Sequence, residues 1–166
     1  VLRVIVVMGV SGAGKTTVGI PLAASLGWPF YDADDFHSVE NIAKMHRGEG
    51  LTDDDRRPWL TALCALIHRV VTHGEHAVLA CSALKQWYRE ALVPPDVDPN
   101  AIQFVYLDVP EEVLRQRLAA RVGHFAPPAL VGSQLATLEE PMDAVRIEGT
   151  LPVDSIVRAV RASLTV

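Results

Sequence analysis

The sequence predicts a single α/β domain in which a five-stranded parallel sheet carries helices on both faces. Three observations predict it. The chain opens on an almost unbroken apolar, β-branched run, Leu2-Arg3-Val4-Ile5-Val6-Val7-Met8, the pattern of a strand covered on both sides. A glycine-rich turn, Gly9-Val10-Ser11-Gly12-Ala13-Gly14-Lys15-Thr16, joins that strand to a helical stretch. Short apolar runs then alternate with segments of helical period, as parallel strands joined by crossovers require.

The first helix is expected over Lys15 to Leu26, stopping at Gly27. Pro21 inside it should kink it or weaken its hydrogen bonding. Pro29 to Asp32 reads as a short second strand ending in the acidic cluster Asp32-Ala33-Asp34-Asp35, and a short helix covers Val39 to Arg47. A longer helix is expected from near Arg57, with Pro58 in its first turn and Asp53, Asp54 and Asp55 just before it. Its apolar stripe is Leu60, Leu63, Cys64, Ile67, Val70 and Val71. Ala77 to Cys81 is the third strand, Lys85 to Val93 a helix, Pro94 to Asn100 a turn region and Ile102 to Asp108 the fourth strand. Pro110 starts a helix running to Arg121, and Val122 to Leu130, with a glycine and two prolines, reads as a loop. Val145 to Glu148 is a weak fifth strand and Pro152 to Leu164 a closing helix. No repeat, linker or low-complexity tract interrupts this order, so residues 1–166 are expected to form one domain.

Composition narrows the function. Hydrophobic residues make up 49% and charged residues 21%, as in a globular protein. A net charge of −5 and a pI near 5.6 argue against a surface built for nucleic acid or anionic membrane, yet leave room for a small anionic substrate in a locally positive pocket. No apolar run approaches the length of a bilayer span, and no charged leader precedes an apolar stretch and cleavage site. Val1 in place of Met leads us to expect a few native residues ahead of it. Cys64 and Cys81 lack the spacing of a zinc site or disulfide framework and read as core thiols in a reducing compartment, the cytoplasm.

The pattern G-x-x-x-x-G-K-[ST] places glycines where backbone N–H groups must turn inward to touch phosphate oxygens. Lys15 is then expected to reach the β- and γ-phosphates of ATP, and the Thr16 hydroxyl to ligate Mg²⁺. The next helix adds its N-terminal partial charge. Gly9, Ser11, Gly12, Ala13, Gly14, Lys15, Thr16 and Thr17 are the candidate ATP-binding residues of this loop. Many P-loop ATPases end a strand in an acid that holds Mg²⁺ through water. Here the third strand ends at Cys81-Ser82, and the available acids are Asp32 and Asp34, which suits a small-metabolite kinase better than a mechanical or switch NTPase.

Four further segments occur in order: Asp32-Ala33-Asp34-Asp35-Phe36-His37 with Asn41-Ile42-Ala43-Lys44-Met45; Gly48 to Leu60; Cys81-Ser82-Ala83-Leu84-Lys85 with Tyr88-Arg89; and Arg117, Arg121, Gly123-His124-Phe125, Ser133-Gln134 and Leu138-Glu139. This series resembles the gluconokinases, P-loop kinases that phosphorylate D-gluconate, over nearly the whole span from Val4 to Pro141. The resemblance implies a fold of nucleoside-monophosphate-kinase/shikimate-kinase type with a small lid at 122–130. It implies ATP and gluconate as substrates, and a homodimer. Ser38 and Gly50 depart from it where prolines are common, Ala126 and Leu135 where larger residues are frequent, and Pro21 is also unusual.

Chemistry supports the resemblance segment by segment. Gluconate is a polyol with one carboxylate, so its site needs acceptors for hydroxyls and cations for the acid. Asp34, beyond a strand end, is the candidate base for the attacking hydroxyl; the alternative is that it caps the next helix or orients water on the metal. Lys15, Asp34 and Arg121 are the candidate catalytic residues. The resemblance implies His37, Arg56, Ser82, Lys85, Arg89, His124 and Gln134 as substrate contacts beside Asp34, with Arg56 suited to a two-pronged grip on a carboxylate; by itself a lone histidine such as His37 is more often structural. Trp59 and Leu60 read as core anchors and Arg57 as solvated. The chain has three lysines, Lys15, Lys44 and Lys85, all inside the quoted segments, and Lys44 is the weakest candidate of the three. Arg117 and Arg121, four apart on a helix, are expected to face ATP together from the lid, or else to form a solvated basic face. A related kinase for shikimate or another sugar acid, and a nucleotide sensor without turnover, stay open at this level.

Overall fold

The computed structural model describes residues 1–120 and 129–164. Among them, β1 (Val4–Met8), β2 (Phe30–Asp32), β3 (Ala77–Ala80), β4 (Ile102–Asp108) and β5 (Val145–Glu148) form one sheet in the order β2-β3-β1-β4-β5. Every pairing is parallel. The helices are α1 (Lys15–Leu26), α2 (Val39–His46), α3 (Asp53–Thr72), α4 (Gln86–Leu92), α5 (Glu111–Ala119), α6 (Ala129–Thr137) and α7 (Val153–Ser163). The expected five-stranded parallel architecture is the observed one.

The central place of β1 matches its burial. All five residues of β1 are fully enclosed, which is why this central strand is apolar throughout rather than alternating. The chain moves one way from β1 to β2 and the other way from β2 to β3, so right-handed crossovers put α1 and α3 on opposite faces. Accordingly α1 packs with α7, and α3 with α4. The core runs from Val4–Met8 through Leu63, Ile67 and Val70 of α3 to Leu22 of α1 and Val160 of α7.

Two helices and one cysteine differ from expectation. Helix α3 starts at Asp53, not near Arg57, because Thr52 and Asp55 form a reciprocal cap: the Asp55 N–H donates to Thr52 Oγ1 at 3.1 Å and the Thr52 N–H to the Asp55 carboxylate at 2.9 Å. The three acids therefore belong to the first turn, where the helix dipole favours them. Residues 129–130, expected in a loop, begin α6, which Val131 anchors in the core. The rest of the expected lid, 122–128, lies outside the described residues. Cys81 is buried as expected, but Cys64 is partly exposed on α3 rather than a core thiol.

Two local departures from the family pattern have structural answers. Helix α1 runs on through Pro21, whose ring lies on the solvent side, so the missing N–H does not break the helix. Ser38 caps α2: its hydroxyl accepts the Asn41 N–H at 3.1 Å. No helix among the described residues is long and apolar enough to cross a membrane.

Candidate active site

The strand ends β1, β2 and β3 open together at the carboxyl edge of the sheet, where open α/β folds bind ligands. From Met8 the chain turns at Gly9 with φ 150°, and a Cβ there would sit 3.0 Å from Ala13 Cβ and 3.2 Å from the Leu107 carbonyl oxygen. Only glycine fits that turn without strain. Gly12 and Gly14 also take positive φ, which lets the loop curl over the start of α1. The Lys15 ammonium lies across the loop, donating to the Gly9 carbonyl at 3.0 Å and the Val10 carbonyl at 3.1 Å. The Ser11 N–H donates to Gln134 Oε1 of α6 at 2.6 Å.

A cleft of about 680 Å³ joins this loop to the substrate-side segments. Ser11, Gly12, Gly14, Lys15 and Thr16 line one wall; Asp32 and Asp34 lie in it; His37, Arg56, Ser82, Lys85 and Gln134 complete it. Gly9, Ala13 and Thr17 belong to the loop but do not line the cleft. Arg121 and His124 lie outside the described residues.

The strand beside β3 ends in an acid. Asp32 is registered against Ala80, the last residue of β3. Burial, then the neighbouring Asp34 and Asp35 carboxylates, push the Asp32 carboxyl above its ordinary range, against a backbone N–H bond and Lys15 that pull it down. Asp32 also caps the short 3₁₀ turn Ala33–Phe36 by accepting the Asp34 N–H at 2.9 Å. With Asp32 and Ser38 filling the two capping positions, Asp34 is not needed as a cap, and among the described residues its carboxylate has no hydrogen-bond partner. Burial pushes the nearby Cys81 thiol up to about 12, so it stays protonated.

The cationic wall is braced by residues that the sequence did not single out as functional. Tyr88 Oη donates to Asp53 Oδ1 at 2.7 Å, and Lys85 Nζ lies 3.4 Å from the same oxygen. Arg56 donates to the Leu51 carbonyl at 2.7 Å and to Tyr88 Oη at 3.3 Å, with its guanidinium over the Tyr88 ring. Burial and the bond to Asp53 raise Tyr88 to about 12. The Tyr88 bond, against some desolvation, holds Asp53 below the usual carboxylate range. In the sequence Asp53 read only as one of three acids just ahead of a helix; the packing of α3 against α4 shows that it faces Lys85.

His37 stacks on Trp59, with ring centroids 4.3 Å apart and an interplanar angle of 11°. Trp59 is itself fixed by its Nε1–H, which donates to the buried Ala33 carbonyl at 2.7 Å. It anchors the core, as expected, and also forms part of the cleft wall. Burial, then the Arg56 charge, lower the His37 imidazole to about 4.

Two expected ligand contacts have other employment. Arg89 is buried and donates to the Ala83, Leu84 and Glu139 carbonyls and to Gln86 Oε1. It ties the start of α4 to the chain beyond α6 and does not line the cleft. Arg117 donates to the Gly12 carbonyl at 2.9 Å and the Gly149 carbonyl at 2.8 Å, bracing the phosphate loop from behind. Lys44 is held by Asp55 at 2.8 Å and joins α2 to the start of α3. Arg57 pairs with Asp54 and lies over the Trp87 ring at the surface.

A family described as AAA domain matches residues 4–141. A gluconokinase from Gluconobacter oxydans is 48% identical over 150 residues, covering 89% of this chain and 83% of that one. A crystal structure of a gluconokinase from Sinorhizobium meliloti is 44% identical with a TM-score of 0.84, covering 96% of this chain and 90% of that one. The fold extends to a shikimate kinase from Bacteroides thetaiotaomicron at a TM-score of 0.70 and 21% identity, each chain covered in full (100% and 100%).

Proposed function

The chain belongs to the gluconokinase family, and from that membership we propose how its residues carry ATP + D-gluconate → ADP + 6-phospho-D-gluconate. It is a kinase that phosphorylates gluconate. The observation that supports the residue assignment is the single cleft shared by the phosphate loop and a polar, cationic wall, with Asp34 between them.

In this reading the loop N–H groups and the α1 N-terminus hold the β- and γ-phosphates. Lys15 leaves the Gly9 and Val10 carbonyls to meet them, and Ser11 exchanges Gln134 for a phosphate oxygen. Arg56 and Lys85 receive the gluconate carboxylate, competing with Asp53 for Lys85. His37 and Ser82 bond the sugar acid's hydroxyls. Asp34 takes the proton of the terminal hydroxyl as its oxygen attacks the γ-phosphorus and the bond to the ADP oxygen breaks.

Magnesium fits the donors present. The Thr16 hydroxyl and the Asp32 carboxylate are hard oxygen donors that would hold it, and a cation there would offset the crowding that raises Asp32. When bound, the ion supplies charge neutralisation at the phosphates. Arg121 and His124 are proposed, from the family pattern alone, to close on the site from the lid. A homodimer and a cytoplasmic setting are proposed on the same basis, the dimer being checked by light scattering on the purified protein.

The test is ADP release measured across a panel of sugar acids and shikimate. Brisk turnover of gluconate is expected; no turnover of gluconate with fast turnover of another hydroxy acid would overturn the substrate. Asp34→Asn should lower kcat by about 10²–10⁴, the usual contribution of a general base. Full activity in that variant would remove Asp34 as the base.

A further inference from the structure

His37 is held on two sides. Its ring face lies on Trp59, and its Nδ1 lies 3.3 Å from Asn41 Nδ2. Asn41 is one of the few buried polar residues, 5% exposed. Its amide nitrogen also donates to the Asp55 backbone carbonyl at 2.8 Å. That second contact decides the first. A carbonyl oxygen can only accept, so the nitrogen of the Asn41 amide must face Asp55; the reversed amide would set two acceptors against each other. The same NH₂ group then has its remaining hydrogen for His37, and His37 Nδ1 must accept it. A neutral imidazole that accepts at Nδ1 carries its proton on Nε2.

We propose that Asn41 is a positioning residue that locks His37 as the neutral Nε2–H tautomer, so that His37 meets the sugar acid only as a hydrogen-bond donor. This rests on the gluconokinase reading for the identity of the ligand and deepens it. Protonating Nδ1 would set N–H against N–H, so Asn41 acts in the same direction as burial and the facing Arg56 cation. With Nδ1 occupied and Nε2 protonated, His37 has no lone pair left to take a proton, so the base is one of the carboxylates that line the cleft, Asp34 in the reading above. A donor at this wall selects ligands that offer an oxygen lone pair there, a hydroxyl or carboxylate, over ligands that offer only an N–H.

The test uses the whole protein labelled with ¹⁵N at histidine, with long-range ¹H–¹⁵N correlation at pH 7 and His37 assigned by the signals lost in His37→Gln. The expected pattern is a neutral ring protonated at Nε2. A ring protonated at Nδ1, or an imidazolium, overturns the proposal without any variant being needed. In Asn41→Asp the carboxylate accepts rather than donates, so the ring should become Nδ1–H or doubly protonated. In the Nδ1–H form Nε2 can no longer donate, so gluconate KM should rise about three- to tenfold, the value of one lost hydrogen bond, with the KM for ATP unchanged; a doubly protonated ring keeps the donor and leaves gluconate KM unmoved. An unchanged tautomer in a folded Asn41→Asp protein overturns the lock. Gluconate should also shift the His37 Nε2–H signal. An Nε2–H ring that ignores gluconate but responds to another sugar acid upholds the lock and overturns only the substrate.

Discussion

Replacing Arg117 with alanine separates two roles that its position on α5 cannot. A lid arginine that touches the transferring phosphoryl group contributes to the transition state and little to folding. An arginine that clamps two backbone carbonyls does the reverse. In the structure both ends of the guanidinium are engaged, at 2.9 Å to Gly12 and 2.8 Å to Gly149. Hydrogen bonds from a charged donor contribute about 1.5–3 kcal/mol each; the side chain is only half-buried, so a net loss of about 3 kcal/mol is expected rather than the full sum. For a domain of this size each kcal/mol moves Tm by about 2–4 °C, which predicts a fall of about 6–12 °C. Because Gly12 belongs to the phosphate loop, the KM for ATP should rise as the loop loosens, while kcat falls by less than about tenfold. Thermal unfolding and steady-state kinetics on the same preparation check this. A Tm within about 1 °C of wild type, with kcat down by 10³ or so, is the signature of a lost phosphate contact and would refute the bracing role.

The other predictions are shorter. Tyr88→Phe removes the 2.7 Å bond to Asp53 and the contact with Arg56, so gluconate KM should rise about three- to tenfold with the KM for ATP unmoved; equal changes in both constants would count against a substrate-side role. His37 falls from an ordinary 6.5 to about 4 in the folded protein, so its neutral ring contributes full stability above pH 6.5, and that stability is lost as pH drops toward 4. The gap corresponds to about 3 kcal/mol, discounted to about 1–2 because the ring still meets solvent. Denaturant titrations of wild type and His37→Gln should therefore converge as pH falls through that window, and parallel curves would contradict it. Gly9→Ala forces a Cβ into the 3.0 Å gap at Ala13 in a positive-φ turn, which should cost about 1–3 kcal/mol and weaken nucleotide binding measured by calorimetry.

How much of this was legible in the sequence depends on which force sets each feature. Helix faces follow from hydrophobic period, and β1 and β3 read directly because both are buried throughout; strand order is a matter of tertiary pairing that no local period encodes. The start of α3 was misplaced because three consecutive acids look the same before a helix as inside its first turn; the discriminating signal was Thr52 followed three residues later by Asp55, an aspartate version of the usual capping pair. Helix α6 was missed because Gly132 and the prolines before it mask a short apolar period held mainly by Val131.

The site divides along a different line. Spacing on a helix fixes which face a side chain takes, but what waits on that face is a tertiary fact. Arg89 and Lys85 were read together as ligand contacts from α4, yet Arg89 turns its donors inward onto three carbonyls and an amide oxygen while Lys85, at the cap, reaches the cleft. The difference follows from chemistry. A guanidinium has five donors in a fixed plane and can satisfy a knot of backbone carbonyls at a chain crossing. Arg89 and Arg117 both stand at such crossings, one where α4 meets the segment after α6, the other where the phosphate loop meets the turn after β5. A compact ammonium cannot do that as well, and two of the three lysines, Lys15 and Lys85, line the cleft. Lys15 and Lys85 together with Arg56 therefore line the cleft, while Arg89 and Arg117 mark the places where the scaffold around it is pinned.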